Sequence, residues 1–104
     1  MLSKKYRLPT SFFRARKRPV QSFAVEGVGA RVYTSSLSYP RCAVIVPVKT
    51  AKKAVERNKI RRTVYDMLRT NLSKLPVFDF VFFVSDIENI KDNIKIAIQK
   101  LSSL

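Results

Sequence analysis

Histidine is absent from this chain, cysteine occurs once and glycine only twice. Each scarcity closes a class of function. With no His and with Cys42 alone, neither an intrachain disulfide nor the usual Cys/His zinc spacings can be assembled. Gly27 and Gly29 form no Gly-rich phosphate loop, and no carboxylates recur at a catalytic spacing. A nucleophile, base or metal cluster of the protein's own is therefore not expected. No stretch approaches the ~18 apolar residues of a membrane span, so no membrane partner is expected. MLSKKYRLP has no apolar run after its charges and does not read as a signal peptide. A reducing cytoplasmic setting fits, with Cys42, in the apolar run CAVIVPV, expected as a small buried hydrophobe.

Acidic residues are the other shortage. Seven Asp and Glu face 21 Lys and Arg, a formal charge of +14. A compact body so charged repels itself unless an anionic partner relieves it, and nucleic acid is the first candidate. The imbalance is local: residues 1–74 hold 18 cations and three acids, net +15, whereas residues 75–104 hold three cations and four acids, net −1. Apolar residues still make up 46%, with seven Phe and four Tyr, which excludes a wholly disordered basic tail. At 104 residues, one RNA-binding domain over 1–104 is the expected organisation.

Along the chain, Thr10 or Ser11 could cap a short helix that ends by Pro19. VQSFAV, GARVYTSS and RCAVIVPV, bounded by Gly and Pro, read as three strands. From Ala51 to about Leu75 the period changes to 3.6, with Ile60, Val64, Met67, Leu68 and Leu72 on one stripe and Pro76 as the stop. VFDFVFFVS is apolar on both faces except at Asp79, the pattern of a central strand. Ser85 and Glu88 stand at capping-box spacing before an amphipathic last helix carrying Ile87, Ile90, Ile94, Ala97, Ile98 and Leu101. The expected order is short helix, three strands, long helix, strand, helix.

The long helix sorts its charges. At about 100° per residue, Asn58, Arg61, Arg62, Tyr65 and Arg69 share one side next to the apolar stripe, while Glu56 and Asp66 fall outside it. Arg57 projects toward the stripe and is expected near the helix start, facing a groove beside the sheet. Arg offers a planar fork to phosphate oxygens, Asn can bond sugar or base edges, and Lys brings a mobile charge. Lys49, Lys52 and Lys53 sit at or before the helix N-terminus, where free N–H groups favour anions. Phe12 and Phe13, flanked by Arg14 and Arg16, fit either a core or a platform for unpaired bases. Arg31 and Tyr33 share one strand face that either lines a single-strand path or meets solvent.

Ala54-Val55, Arg57-Asn58 and Ile60-Arg61-Arg62 together resemble the Arg-Asn-Arg signature helix of the bacterial ribonuclease P protein subunit. Arg41 and CAVIVPVK leading into TAKKAV is similar to that family's strand and lysine-rich turn, and Tyr6-Arg7-Leu8 to its Arg-Leu start. The departures are specific. The family's later Arg falls on Tyr65, with Arg69 one turn beyond, Pro47-Val48 replaces Ser-Lys, and the first-helix Phe residues are adjacent instead of four apart.

The resemblance implies an α+β fold, a two-layer αβββαβα sandwich whose four-stranded mixed sheet carries the helices and whose signature helix makes a left-handed βαβ crossover. It also implies a ribonuclease P holoenzyme subunit. Lys49, Lys52, Lys53, Arg57, Asn58, Lys59, Arg61, Arg62, Tyr65 and Arg69 would meet the catalytic RNA. Some of Phe12, Phe13, Arg16, Arg31 and Tyr33 would meet the single-stranded 5′ leader of precursor tRNA. The protein would bind no cofactor, and the Mg2+ of the reaction would sit in the RNA. From the residues alone, a structural RNA-binding protein such as a ribosomal component stands as the alternative.

Overall fold

The computed structural model describes residues 2–15, 18–25 and 27–104. A 3₁₀ turn at Lys4–Tyr6 precedes α1 (Thr10–Arg14), β1 (Gln21–Val25), β2 (Val28–Thr34), β3 (Arg41–Ile45), α2 (Ala54–Thr70), β4 (Phe78–Val84) and α3 (Ile90–Ser102). The strands form one mixed sheet in the order β1-β2-β4-β3, with β3 and β4 parallel and the other neighbours antiparallel. The expected α+β order is thus observed, and the strand apolar on both faces is a central one. No helix among the described residues is long and apolar enough to cross a membrane.

Strand alternation divides the sheet into two unlike faces. Val28, Ala30 and Val32 of β2 join Phe80, Phe82 and Val84 of β4 on one face, where Val64 and Leu68 of α2 and Ile94, Ala97, Ile98 and Leu101 of α3 cover them. Residues of the other parity build a smaller cluster in which Phe12 of α1 sits on Tyr33, Ala43 and Val81. The five residues of α1 are too few to roof that second face. Among the described residues, one face is therefore a full core and the other is covered at one end.

Four boundaries differ from the sequence expectation, each for a local reason. Pro9 occupies the N-cap of α1, so Ser11 lies inside the first turn and does not cap. β3 ends at Ile45, ahead of Pro47, whose carbonyl accepts from Thr50 N–H at 3.0 Å and starts the turn into α2. α2 starts at Ala54, not Ala51, because Ala51 N–H is drawn to the Pro47 carbonyl at 3.4 Å and Thr50 Oγ1 donates to Val84 O at 2.7 Å. Its far end is closed at Thr70, where Asn71 Nδ2 donates to Met67 O at 2.8 Å.

The capping box also fails. Ser85 and Asp86 N–H groups both go to Gly27 O, at 2.9 and 3.3 Å, and Glu88 N–H goes to Asp86 Oδ1 at 3.0 Å. Those donors are spent, so α3 begins at Ile90 after Asn89, which adopts φ 56°. Ile87 is left out of the stripe, 52% exposed. Gly27 itself takes φ +78° in the two-residue β1–β2 connection, a region that L side chains rarely adopt.

Asp79 is the one charge in β4, and it is fully buried. Arg41, directly opposite on β3, donates through Nε to Oδ1 and through Nη2 to Oδ2, both at 3.1 Å. The fork satisfies both carboxylate oxygens, which is what makes such burial tolerable. Beside it, Cys42 has no exposed surface, and burial first, then the Asp79 charge, push its thiol up to about 12.

Two measurements follow from this packing. Asp79→Ala leaves the Arg41 fork unpaired and should cost about 3–5 kcal/mol in urea unfolding, far more than a surface change. Cys42, almost wholly protonated at pH 8, should resist alkylation in the native protein and react only in denaturant, as read by mass spectrometry.

Candidate nucleic-acid interface

Parallel β3 and β4 require a crossover, and α2 supplies it. Val64 and Leu68 turn into the core with Ile60 and Met67 half-buried at their flank, which leaves the opposite side to solvent. Asn58, Lys59, Arg62 and Arg69 are exposed there, and Lys49, Lys52 and Lys53 are exposed ahead of the helix. Arg57, Arg61 and Tyr65 are half-buried. Asn58 Oδ1 accepts a hydrogen bond from Arg61 Nη2, which joins two members of the row. Lys59 stands at the far rim, on the flank shared with Asp66.

The start of α2 holds more cations than its one first-turn acid, Glu56, offsets. Lys53 is the N-cap and offers no side-chain acceptor, so N–H groups of the first turn are uncapped by side chains. Lys49, Lys52 and Lys53 gather at the positive end of the helix dipole, where cations are unfavourable by a few tenths of a kcal/mol each when exposed. An anion placed there reverses the sign of every one of these terms.

Arg57 and Tyr65 are committed to the fold more than the helix projection suggested. Arg57 is half-buried, yet its Nη1 folds back and donates to Ala51 O at 3.0 Å and Lys52 O at 2.8 Å, bracing the lysine-bearing turn. The Tyr65 hydroxyl accepts from Val44 N–H at 3.1 Å on the outer edge of β3. Leu8 N–H covers the same edge by donating to Cys42 O at 2.9 Å, so an otherwise bare strand edge is closed by the N-terminal segment and by α2. Burial pushes the Tyr65 phenol up, against the opposing pull of the Val44 N–H and of Arg7 and Arg61, and it stays protonated at neutral pH.

The half-covered sheet face carries the remaining candidates. Phe12 is buried, edge-on to Tyr33 at 4.9 Å, so both pack as core. Phe13 is 44% exposed and edge-on to Phe12 at 5.3 Å. Beyond α1, a shallow groove of about 800 Å3 runs over Ser22, Ala24, Gly29, Arg31 and Phe83. The Arg31 guanidinium lies 4.8 Å from the Phe83 ring centroid, a cation–π pair on an otherwise open surface. Arg16 lies outside the described residues. The structure thus brings Arg31 to the open face, leaves Phe13 exposed on α1, and buries Tyr33 and Phe12.

Phe83 and Arg41 were not among the sequence candidates. In a strand apolar on both faces, hydrophobicity does not say which Phe lacks a roof. Parity was the available signal, because Phe83 shares its face with Asp79, the strand's one polar residue. Among the described residues, no group of three or more His, Cys, Asp and Glu is placed to hold a metal ion.

Comparison with known proteins agrees with this geometry. Residues 2–101 match the family model described as Ribonuclease P. The chain is similar to the ribonuclease P protein component of Idiomarina loihiensis, 43% identical over 47 residues, which is 45% of this chain and 38% of that one. It is similar to that of Aliivibrio fischeri, 47% identical over 47 residues, 45% of this chain and 40% of the other. A longer match, to the component of Chromohalobacter salexigens, is 34% identical over 62 residues, 58% and 48% of the two chains. The matched stretches therefore span less than half the length of these relatives. Its fold is that of a Staphylococcus aureus RNase P protein mutant with defective mRNA degradation activity, at a TM-score of 0.69 and 24% identity over 94% of this chain and 82% of that one.

The groove makes a simple demand. If unpaired bases stack there, Phe83→Ala should weaken binding of a short single-stranded RNA by about 1–3 kcal/mol in fluorescence anisotropy, with the native circular dichroism spectrum retained and the melting temperature lowered by a few degrees, since Phe83 is half-buried against the smaller cluster.

Proposed function

The chain belongs to the Ribonuclease P family, and from that premise we propose that it acts as the protein component of a bacterial ribonuclease P in the cytoplasm. In this reading its partners are a large catalytic RNA and the single-stranded 5′ leader of precursor tRNA. Mg2+ held by the RNA supplies the hydrolytic chemistry that releases the leader. The protein contributes binding, charge neutralisation and positioning. The observation that carries the reading is the α2 start, where exposed lysines crowd an uncapped, positively polarised helix end beside an acid-poor row of Asn58, Arg61 and Arg62.

Each surface has its own physical part. The Lys and Arg side chains on the α2 side would replace the condensed counterions that a folded RNA otherwise needs, so the assembly would tolerate less Mg2+. On the sheet, leader bases would stack against Phe83 and Phe13 while Arg31 follows the backbone, a mode with little demand on sequence. Holding the leader raises its effective concentration at the reacting phosphate without any protein group touching the bond broken.

The assay adds purified protein to a bacterial ribonuclease P RNA and precursor tRNA at low Mg2+. Faster appearance of the mature 5′ end is expected, and no gain, together with co-purification on ribosomal subunits, would favour a structural RNA-binding role. With about six phosphates neutralised, log affinity for the RNA should fall with log salt at a slope of roughly −4 to −5. Arg61→Ala with Arg62→Ala should flatten that slope and weaken binding while the circular dichroism spectrum is retained.

A further inference from the structure

Neither the α2 row nor the sheet groove accounts for a third feature. Where the N-terminal segment crosses the outer edge of β3 and meets α2, a groove of about 320 Å3 is lined by Lys4, Arg7, Leu8, Pro9 and Tyr65. Arg7 Nε is buried and has no hydrogen-bond partner among the described residues. Arg7 as a whole is half-buried, and an Nε withdrawn from water without a partner is a costly and uncommon arrangement. Tyr65 adds a second unspent donor. Its oxygen accepts from Val44 N–H, yet a hydroxyl also carries a proton to give, and none of the described residues takes it. Arg61 and Arg7 both act electrostatically on that phenol, which places a third cation near the groove. None of the residues lining the groove is acidic.

We propose that this groove seats one phosphodiester of the RNA backbone, with Arg7 and Lys4 supplying the charge and the Tyr65 hydroxyl donating a hydrogen bond. The inference rests on the RNA-binding reading above. A phosphodiester is a pure acceptor with one negative charge shared over two oxygens, and Lys4, Arg7 and the unspent proton of the Tyr65 hydroxyl all offer donors. The location favours a diester of a polymer over an isolated anion, because the exposed cations of α2 can take further phosphates of the same chain. Occupancy also has a mechanical consequence. The groove spans the N-terminal segment, held to β3 by Leu8 N–H, and α2, held to β3 by the Tyr65 oxygen. A phosphate between them would clamp both, and the Leu8 and Val44 amides should exchange with solvent more slowly when RNA is bound.

The test uses the full chain. In 1H–15N spectra that resolve arginine side chains, the Arg7 Nε–H signal, assigned by its loss in Arg7→Gln, should move on titration with dimethyl phosphate. A response to inorganic phosphate but none to the diester would assign the groove to a free anion and overturn the proposal. Against a bacterial ribonuclease P RNA, Arg7→Gln should bind roughly ten-fold more weakly, with a salt slope smaller by about one phosphate. Arg7→Lys keeps the charge without Nε and should restore the slope but not the affinity; melting curves of both variants separate binding from folding. If Arg7→Gln binds like the parent while the Arg61→Ala, Arg62→Ala pair binds weakly, the groove proposal fails and the RNA-binding reading stands. If neither variant loses affinity, both fail.

Discussion

β4 is the last strand in the chain and sits inside the sheet, hydrogen-bonded to β2 along one edge and β3 along the other. Until it inserts, the β1–β2 hairpin and β3 share no sheet bond, and α2 and α3 have no continuous surface to cover. Its pairings are long-range, so the loop-closure entropy of the chain between the strands must be met before the contacts reward it. Phe80, Phe82 and Val84 then form the centre of the main core, and Val81 anchors the smaller cluster on the other side. Asp79 sets the register. A slip by one residue would carry its carboxylate into the helix-covered core and away from Arg41, so the buried pair excludes neighbouring alignments more than it adds stability.

The same strand makes the two faces unequal. Two long amphipathic helices follow the β1–β2–β3 unit and both pack on one side, while among the described residues the one helix on the other side is the short α1. The result is an open, partly aromatic surface next to a rigid core, suited to a ligand that brings its own flat faces. At the edge of the sheet, the N-terminal segment and Tyr65 close β3 with single hydrogen bonds instead of a further strand. That closure leaves room for donors that the fold does not use.

Charge and fold are in tension at the start of α2. Lysines at a positive helix end and an uncapped first turn are choices that stability alone would not make, and the structure offsets them locally through Arg57 on the Ala51 and Lys52 carbonyls and Thr50 on Val84 O. Local rules broken at one place and compensated by neighbours are what a binding site does to a fold. Arg57 illustrates the exchange. Its helical position indicated an inward-facing side chain, and the structure uses that inward position to brace the turn.

Much of this was legible in the residues. The 3.6 period of α2, the doubly apolar VFDFVFFVS, the buried Cys42 and the acid-free side of Asn58, Arg61 and Arg62 are local patterns, and local geometry converts them directly into burial and exposure. Other features depended on where backbone donors went. Ser85 and Glu88 have capping-box spacing, but the Gly27 carbonyl, remote in sequence, takes the Ser85 N–H and moves the helix start to Ile90. Phe83 and Phe12 have the same composition signal, yet Phe12 is buried and Phe83 only half-buried, because the placement of α1 decides which part of that face is roofed. The sequence by itself determined a basic, folded α+β protein with its cations sorted onto one helix side. Only the tertiary structure decided that Arg41 and Asp79 pair, that Tyr65 closes an edge, and that Arg7 is left with a donor to spend, since each depends on chain segments that meet only after β4 is in place.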